Sequence, residues 1–133
     1  MTVRVLDAFA VLAFFHDEPG AQLVEEMILQ AQDGKMELAI CVVNLGEVYY
    51  SIARSSFREE AEDYIQQIQS MPIQIVDVDW ELTRLAAQFK TSGNISYADC
   101  YAAALAKLQS GAVVTGDKEF KALEDDIKIV WLK

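Results

Sequence analysis

Asp7, Glu47, Asp99 and Asp117 stand where apolar segments of the chain break or begin. Each carries a carboxylate, and ionised carboxylates gathered in a small space raise one another's pKa unless a cation lies among them. If the four meet, the chemistry they offer is coordination of a divalent metal through oxygen alone. That ligand set favours Mg2+ or Mn2+ over zinc or copper. Asp7 is the hardest to explain structurally, because it interrupts the apolar stretch from Val5-Leu6 to Phe9-Ala10-Val11-Leu12. An ionised group among such neighbours is costly without a partner. The others have a plainer alternative. Asn44-x-x-Glu47 and Ser96-x-x-Asp99 have the spacing of capping boxes, and Asp117 is placed to cap a helix.

The elements that must position these acids follow from periodicity. Strands are predicted over Val3–Leu6, Glu37–Val43, Ile73–Val78, Ala112–Thr115 and Ile127–Leu132. Helices are predicted over Ala8–Phe15, Ala21–Gln32, Leu45–Ser55 with Asn44 as cap, and Phe57–Met71. Two more follow: Trp80–Thr91 behind Asp79, and a helix capped by Ser96 running through Ser110, with a short helix from Asp117 to Leu123. Strands alternating with helical stretches argue for a parallel α/β sheet covered on both faces. Right-handed crossovers place every strand's carboxyl end on one edge. Asp7 and Asp117 lie at that edge because they follow strands, and Glu47 because its helix leaves one. Asp99 begins a helix that feeds a strand from the opposite end, so its N-terminus must return to the same edge. Ligands of open α/β sheets bind there.

Several chemistries are excluded. His16 is the only histidine and neighbours the turn signal Asp17-Glu18-Pro19-Gly20, so a two-histidine mechanism has no basis. Cys41 and Cys100 lie in apolar segments without a CxxC pair and read as buried free thiols. No nucleophile elbow, P-loop or dinucleotide fingerprint is present. The longest apolar run, Ala8 to Phe15, is too short to span a bilayer, and the N-terminus has no signal-peptide anatomy, so a cytoplasmic protein is expected. With 133 residues, the chain from 1 to 133 is expected to form one domain. The net charge of −10 sits poorly with nucleic-acid binding, although four of those charges belong to the proposed site. A local basic strip or a basic partner is therefore expected.

The motifs in order are Val5-Leu6-Asp7, Glu18-Pro19-Gly20, Val43-Asn44-Leu45-Gly46-Glu47-Val48, Ile95 to Ala104 around Asp99, and Val114-Thr115-Gly116-Asp117-Lys118-Glu119-Phe120. This ordered set resembles PIN-domain nucleases, most nearly the VapC-type toxins of toxin–antitoxin pairs. The resemblance spans Val5 to Leu132. It implies a three-layer αβα PIN-like fold with a central parallel sheet of four to five strands. It further implies a Mg2+- or Mn2+-dependent endoribonuclease restrained by a small antitoxin. Asp7, Glu47, Asp99 and Asp117 would then be both catalytic residues and metal ligands, with Asp7 and Asp99 the most direct. Thr115 resembles the family's supporting hydroxyl. Thr115, Arg54 and Lys118 are the candidate substrate contacts, with Arg58, Lys90 and Lys121 behind them. Tyr49, Tyr50, Tyr97 and Tyr101 flank the helical acids and are candidates to stack on bases, with core packing their ordinary fate.

One departure is visible. The family usually follows its first Asp with Thr or Ser and another small polar residue, where this chain has Ala8 and Phe9. Loss of hydrogen bonds that orient Asp7 is the expected consequence. A catalytically weak or inactive PIN-like regulatory subunit is accordingly the alternative. A receiver-type domain is disfavoured because only Asp7 follows the first strand, and a DxDx[TV] phosphoryl-transfer pattern is absent. RNA and an antitoxin are the expected partners, together with a second copy of the chain in a homodimer. The stripe Tyr64-Ile65-Ile68 is a candidate face for either protein partner, with the core as its default.

Overall fold

The structure is a computed structural model and describes residues 1–132. The strands are β1 (Val3–Leu6), β2 (Glu37–Cys41), β3 (Ile73–Val76), β4 (Ala112–Thr115) and β5 (Lys128–Trp131). The α-helices are α1 (Ala8–Phe15), α2 (Ala21–Gln32), α3 (Val42–Ser55), α4 (Arg58–Gln69), α5 (Trp80–Ser92) and α6 (Tyr97–Leu108). Lys118–Leu123 forms a 3-10 helix rather than an α-helix. The strands form one five-stranded sheet in the order β3-β2-β1-β4-β5, and every pairing is parallel.

The sheet is buried on both faces, and the strand residues divide by parity as a pleated strand requires. Val5, Ala39, Cys41 and Val113 face the layer of α5 and α6, where they meet Leu82, Ala86, Phe89 and Ile95. Leu6, Leu38, Ile40 and Val114 face the layer of α1 to α4, among Val11, Val24, Val48 and Ile52. Ile40 and Val113 are wholly buried. Each such side chain contributes on the order of 1.5–3 kcal/mol of transfer free energy. In α6, Ala102, Ala103, Ala104 and Ala106 are fully buried. Small side chains there let the helix lie close to both the sheet and α5.

The boundaries of β2, α3 and β3 differ from expectation. β2 ends at Cys41 rather than Val43, and α3 starts at Val42 with Cys41 as its N-cap residue. Two β-branched residues continue the strand pattern in sequence, but the chain has already turned into helix. Asn44 is therefore inside the first turn and does not cap. β3 likewise stops at Val76. The capping expectations at Asp79 and Ser96 hold: their side chains accept from the amides of Leu82 and Asp99 at 2.9 and 3.2 Å.

The apolar stripe of α4 serves the core. Ile68 is fully buried, and Tyr64 stacks on Phe15 with ring centroids 4.6 Å apart. Cys41 and Cys100 are free and buried. No helix among the described residues is long and apolar enough to cross a membrane.

Candidate metal centre

Asp7 directly follows β1, whose register pairs Leu6 with Val114. One residue further on, Asp7 and Thr115 are neighbours across the β1–β4 seam. The carboxylate of Asp7 is fully buried and both of its oxygens are held. Oδ1 accepts from the amide of Ala10 at 2.9 Å, which makes Asp7 the N-cap of α1, and Oδ2 accepts from the hydroxyl of Thr115 at 2.5 Å. The expected loss of orienting bonds after Asp7 is therefore made good by the backbone of α1 and by β4. Thr115 itself is fully buried, and its oxygen also accepts from the amide of Asp117 at 3.0 Å. Its hydroxyl serves two carboxylate-bearing segments, in keeping with the supporting role that the resemblance implies.

The other acids come from three more elements. Glu47 lies in α3, half-buried, and its Oε1 accepts from the side-chain amide of Asn44 at 2.9 Å. Asp99 lies in the first turn of α6 and is buried. Asp117 caps the 3-10 helix, accepting from the amide of Glu119 at 2.9 Å. The capping-box reading fails at both helical acids. Asn44 is not a cap, and the amide of Ser96 donates to Glu119 at 3.1 Å rather than to Asp99. The Asp99 carboxylate is thereby left for other work.

These side chains feel one another. Burial, followed by repulsion from Asp99 and Glu47, pushes Asp7 up to about 7 against the bonds from Thr115 and Ala10. Burial, then Asp117, Glu47 and Glu119, pushes Asp99 up to about 7. Burial and Asp117 raise Glu47 against the bond from Asn44. Each of the four predicted acids thus lies within electrostatic reach of at least two others, at the carboxyl edge of the sheet. Among the described residues, no three His, Cys, Asp or Glu side chains already stand as a closed cage for an ion. The donor set nevertheless fits a hard divalent cation, since acceptor oxygens that repel one another are what such an ion relieves.

The remaining candidates are dispersed. Arg54 is exposed and lies over the ring of Tyr50, 5.3 Å from its centroid. Lys118 is exposed beside Asp117. Lys90 is engaged with the carbonyl of Ile95 at 2.8 Å, bracing the turn before α6. Tyr101 is buried and donates to Thr83 at 3.0 Å, whereas Tyr97 and Tyr50 remain 44% and 49% exposed. His16 is exposed at the end of α1. Sequence reasoning missed three neighbours of the site. Glu119 adds negative charge near Asp99, Asn44 grips Glu47, and the Phe9 ring lies so close to Gly116 that a Cβ there would sit 2.2 Å from it. Only tertiary contacts reveal Glu119 and Phe9, although Glu119 stands within the last motif, whereas the Asn44-x-x-Glu47 spacing was visible and read as a capping box.

The PIN domain family model matches residues 4–126. No curated protein is a significant sequence match. Among solved structures, the chain resembles one from VapBC2 of Rickettsia felis bound to a DNA fragment from their promoter, with TM-score 0.79, 18% identity, and coverage of 99% of this chain and 100% of that one. It resembles one from DNA-bound VapBC of Salmonella typhimurium with TM-score 0.74 and 19% identity, covering 98% of each chain. It also resembles VapC20 of Mycobacterium tuberculosis, described as a sarcin-ricin loop cleaving toxin, with TM-score 0.69, 14% identity, and coverage of 91% and 94%. At these identities the likeness carries the fold, while the match over most of the sequence, with acids at the same sheet edge from β1, α3, α6 and the segment after β4, establishes that the chain belongs to the PIN domain family.

Proposed function

We propose that the chain, acting as one domain, is a divalent-metal-dependent endoribonuclease and the toxin of a toxin–antitoxin pair. The observation that carries this is the mutual repulsion of Asp7, Glu47, Asp99 and Asp117, drawn from separate elements to one edge of a PIN-family sheet. Asp7 and Asp99 would hold Mg2+ or Mn2+ most directly, with Glu47 and Asp117 completing the oxygen set. A bound divalent ion lowers the pKa of water near neutral pH and steadies charge on phosphate oxygens. Thr115 keeps one oxygen of Asp7 fixed by donating to it, and fixes the backbone before Asp117 by accepting its amide. Lys118, exposed beside Asp117, would meet a substrate phosphate in this reading.

Hydrolysis proceeds without a covalent enzyme intermediate in this reading. Burial raises the Cys41 thiol and pushes Cys100 up to about 11, so neither supplies a thiolate. RNA as substrate is supported by the description of VapC20 as a loop-cleaving toxin. An antitoxin is supported by the VapBC complexes and by the acidic chain, which suits a partner presenting Arg or Lys to the carboxylates. The regulatory alternative drew on Ala8 and Phe9, and it weakens because Asp7 has donors at both oxygens.

The test is cleavage of total RNA by the purified chain with Mn2+, with Mg2+ and with EDTA. Cleavage that needs the ion and vanishes in Asp99→Asn is expected. Cleavage indifferent to chelator would refute the metal role, and no cleavage under any condition would favour the regulatory subunit.

A further inference from the structure

We propose that Asn44 is a positioning residue that clamps Glu47 to the start of α6 and so sets the spacing between the Glu47 and Asp99 carboxylates. Asn44 is fully buried in the first turn of α3. Its side-chain nitrogen donates twice, to Oε1 of Glu47 at 2.9 Å and to the carbonyl oxygen of Ala98 at 3.1 Å. Ala98 immediately precedes Asp99. One amide therefore bridges the carboxylate of one helix to the backbone beside the carboxylate of another. Both partners are acceptors, so the amide has only one orientation that satisfies them.

Two facts argue against a purely structural residue. Asn44 is not the N-cap of α3, the helix-end position in which its type is ordinarily favoured. Its Oδ1 is buried with no hydrogen-bond partner, a cost that an apolar residue would avoid. A side chain that leaves one polar atom unmet while spending both hydrogens on the site is retained for what those hydrogens hold.

This inference rests on the metal-site reading, and the probe is Mn2+ alone, measured by titration calorimetry on the full chain at fixed pH. Loss of an outer partner of a ligand commonly weakens metal binding by 10- to 100-fold, and that loss is expected for Asn44→Ala. In an Glu47→Ala background the same substitution should cost less than about threefold, because nothing remains for the clamp to hold. Asn44→Thr, which keeps one hydroxyl donor, should fall between Asn44→Ala and the parent, and takes its place in the cycle if the alanine variant does not fold. Losses that multiply across the cycle, or an Asn44→Ala affinity equal to the parent's, would overturn the clamp while leaving the metal site standing. A parent chain that binds no Mn2+ would remove the metal reading itself, and the clamp with it.

Discussion

At Asp7 three influences act on one carboxylate: burial opposes its charge, two donors favour it, and neighbouring acids oppose it again. Burial wins, and it leads at Asp99 too, where Asp117 and Glu47 come next and only the bond from Ser96 opposes them. Between the ordinary carboxylate value of 3.8 and about 7, the folded chain therefore keeps protons that the unfolded chain has released. Stability without metal is fully present below pH 3.8 as far as these groups are concerned, and falls as pH rises through about 7. Thermal melting in EDTA should show a lower Tm at pH 8 than at pH 5.5. Adding Mn2+ should raise Tm by several degrees at pH 8 and by less at pH 5.5, where protons compete with the ion. Asp7→Asn keeps an acceptor for Ala10 but removes the charge. That variant should melt higher than the parent in EDTA at pH 8 and show no RNA cleavage with metal, while a lower melt would mean the site's electrostatics are misassigned. Asp7 was legible in the sequence because an acid inside an apolar run needs a reason. Thr115 was visible only as a motif member, and its burial against Asp7 depends on a pairing 108 residues away.

Elements fix these geometries through contacts that periodicity does not encode. The starts of α5 and α6 were readable because Asp79 and Ser96 precede helical runs and accept from third-position amides, whereas Asp7 does the same for α1 in a role that its apolar neighbours hid. The start of α3 was not, since Val42 and Val43 continue a β-branched pattern while the backbone is already helical. Glu119 taking the amide of Ser96 was equally hidden, because it joins the 3-10 helix to α6 across 23 residues. The segment after β4 is also held by Phe9 of α1, whose ring leaves no room for a Cβ at Gly116. Gly116→Ala should push the exposed Phe9 ring aside and destabilise the chain by about 1 kcal/mol or less in urea unfolding. Phe9→Ala in the same chain should recover most of that loss; a double variant as unstable as Gly116→Ala alone would mean the strain lies elsewhere. Thr115→Val preserves shape while deleting both hydroxyl bonds, leaving the amide of Asp117 without its acceptor. Metal-dependent cleavage should fall about 10- to 100-fold in that variant at saturating RNA.

Across the whole molecule, the parallel sheet and its two helical layers were legible because strand and helix patterns alternate without interruption. Surface function was less so. The chain carries a net charge of −10, yet it is proposed to handle a polyanion. Substrate phosphates must then be met by the bound ion and a few cations such as Lys118, so affinity for RNA should depend steeply on divalent metal and shallowly on salt. Fluorescence anisotropy with a short single-stranded RNA and a non-cleaving variant should give a salt slope matching about one to three phosphates. A slope several times larger would point to an unrecognised basic track. In the α4 stripe Ile68 is buried while Tyr64 and Ile65 are half-buried, and light scattering on the isolated chain tests whether the expected homodimer forms. Finally, β1 lies at the centre of the sheet with β2 on one side and β4 on the other. Its acid is completed by partners that the ribosome makes about a hundred residues later. A nascent chain cannot complete this arrangement until β4 and Asp117 have been made, so the proposed activity would appear only after translation has passed that point.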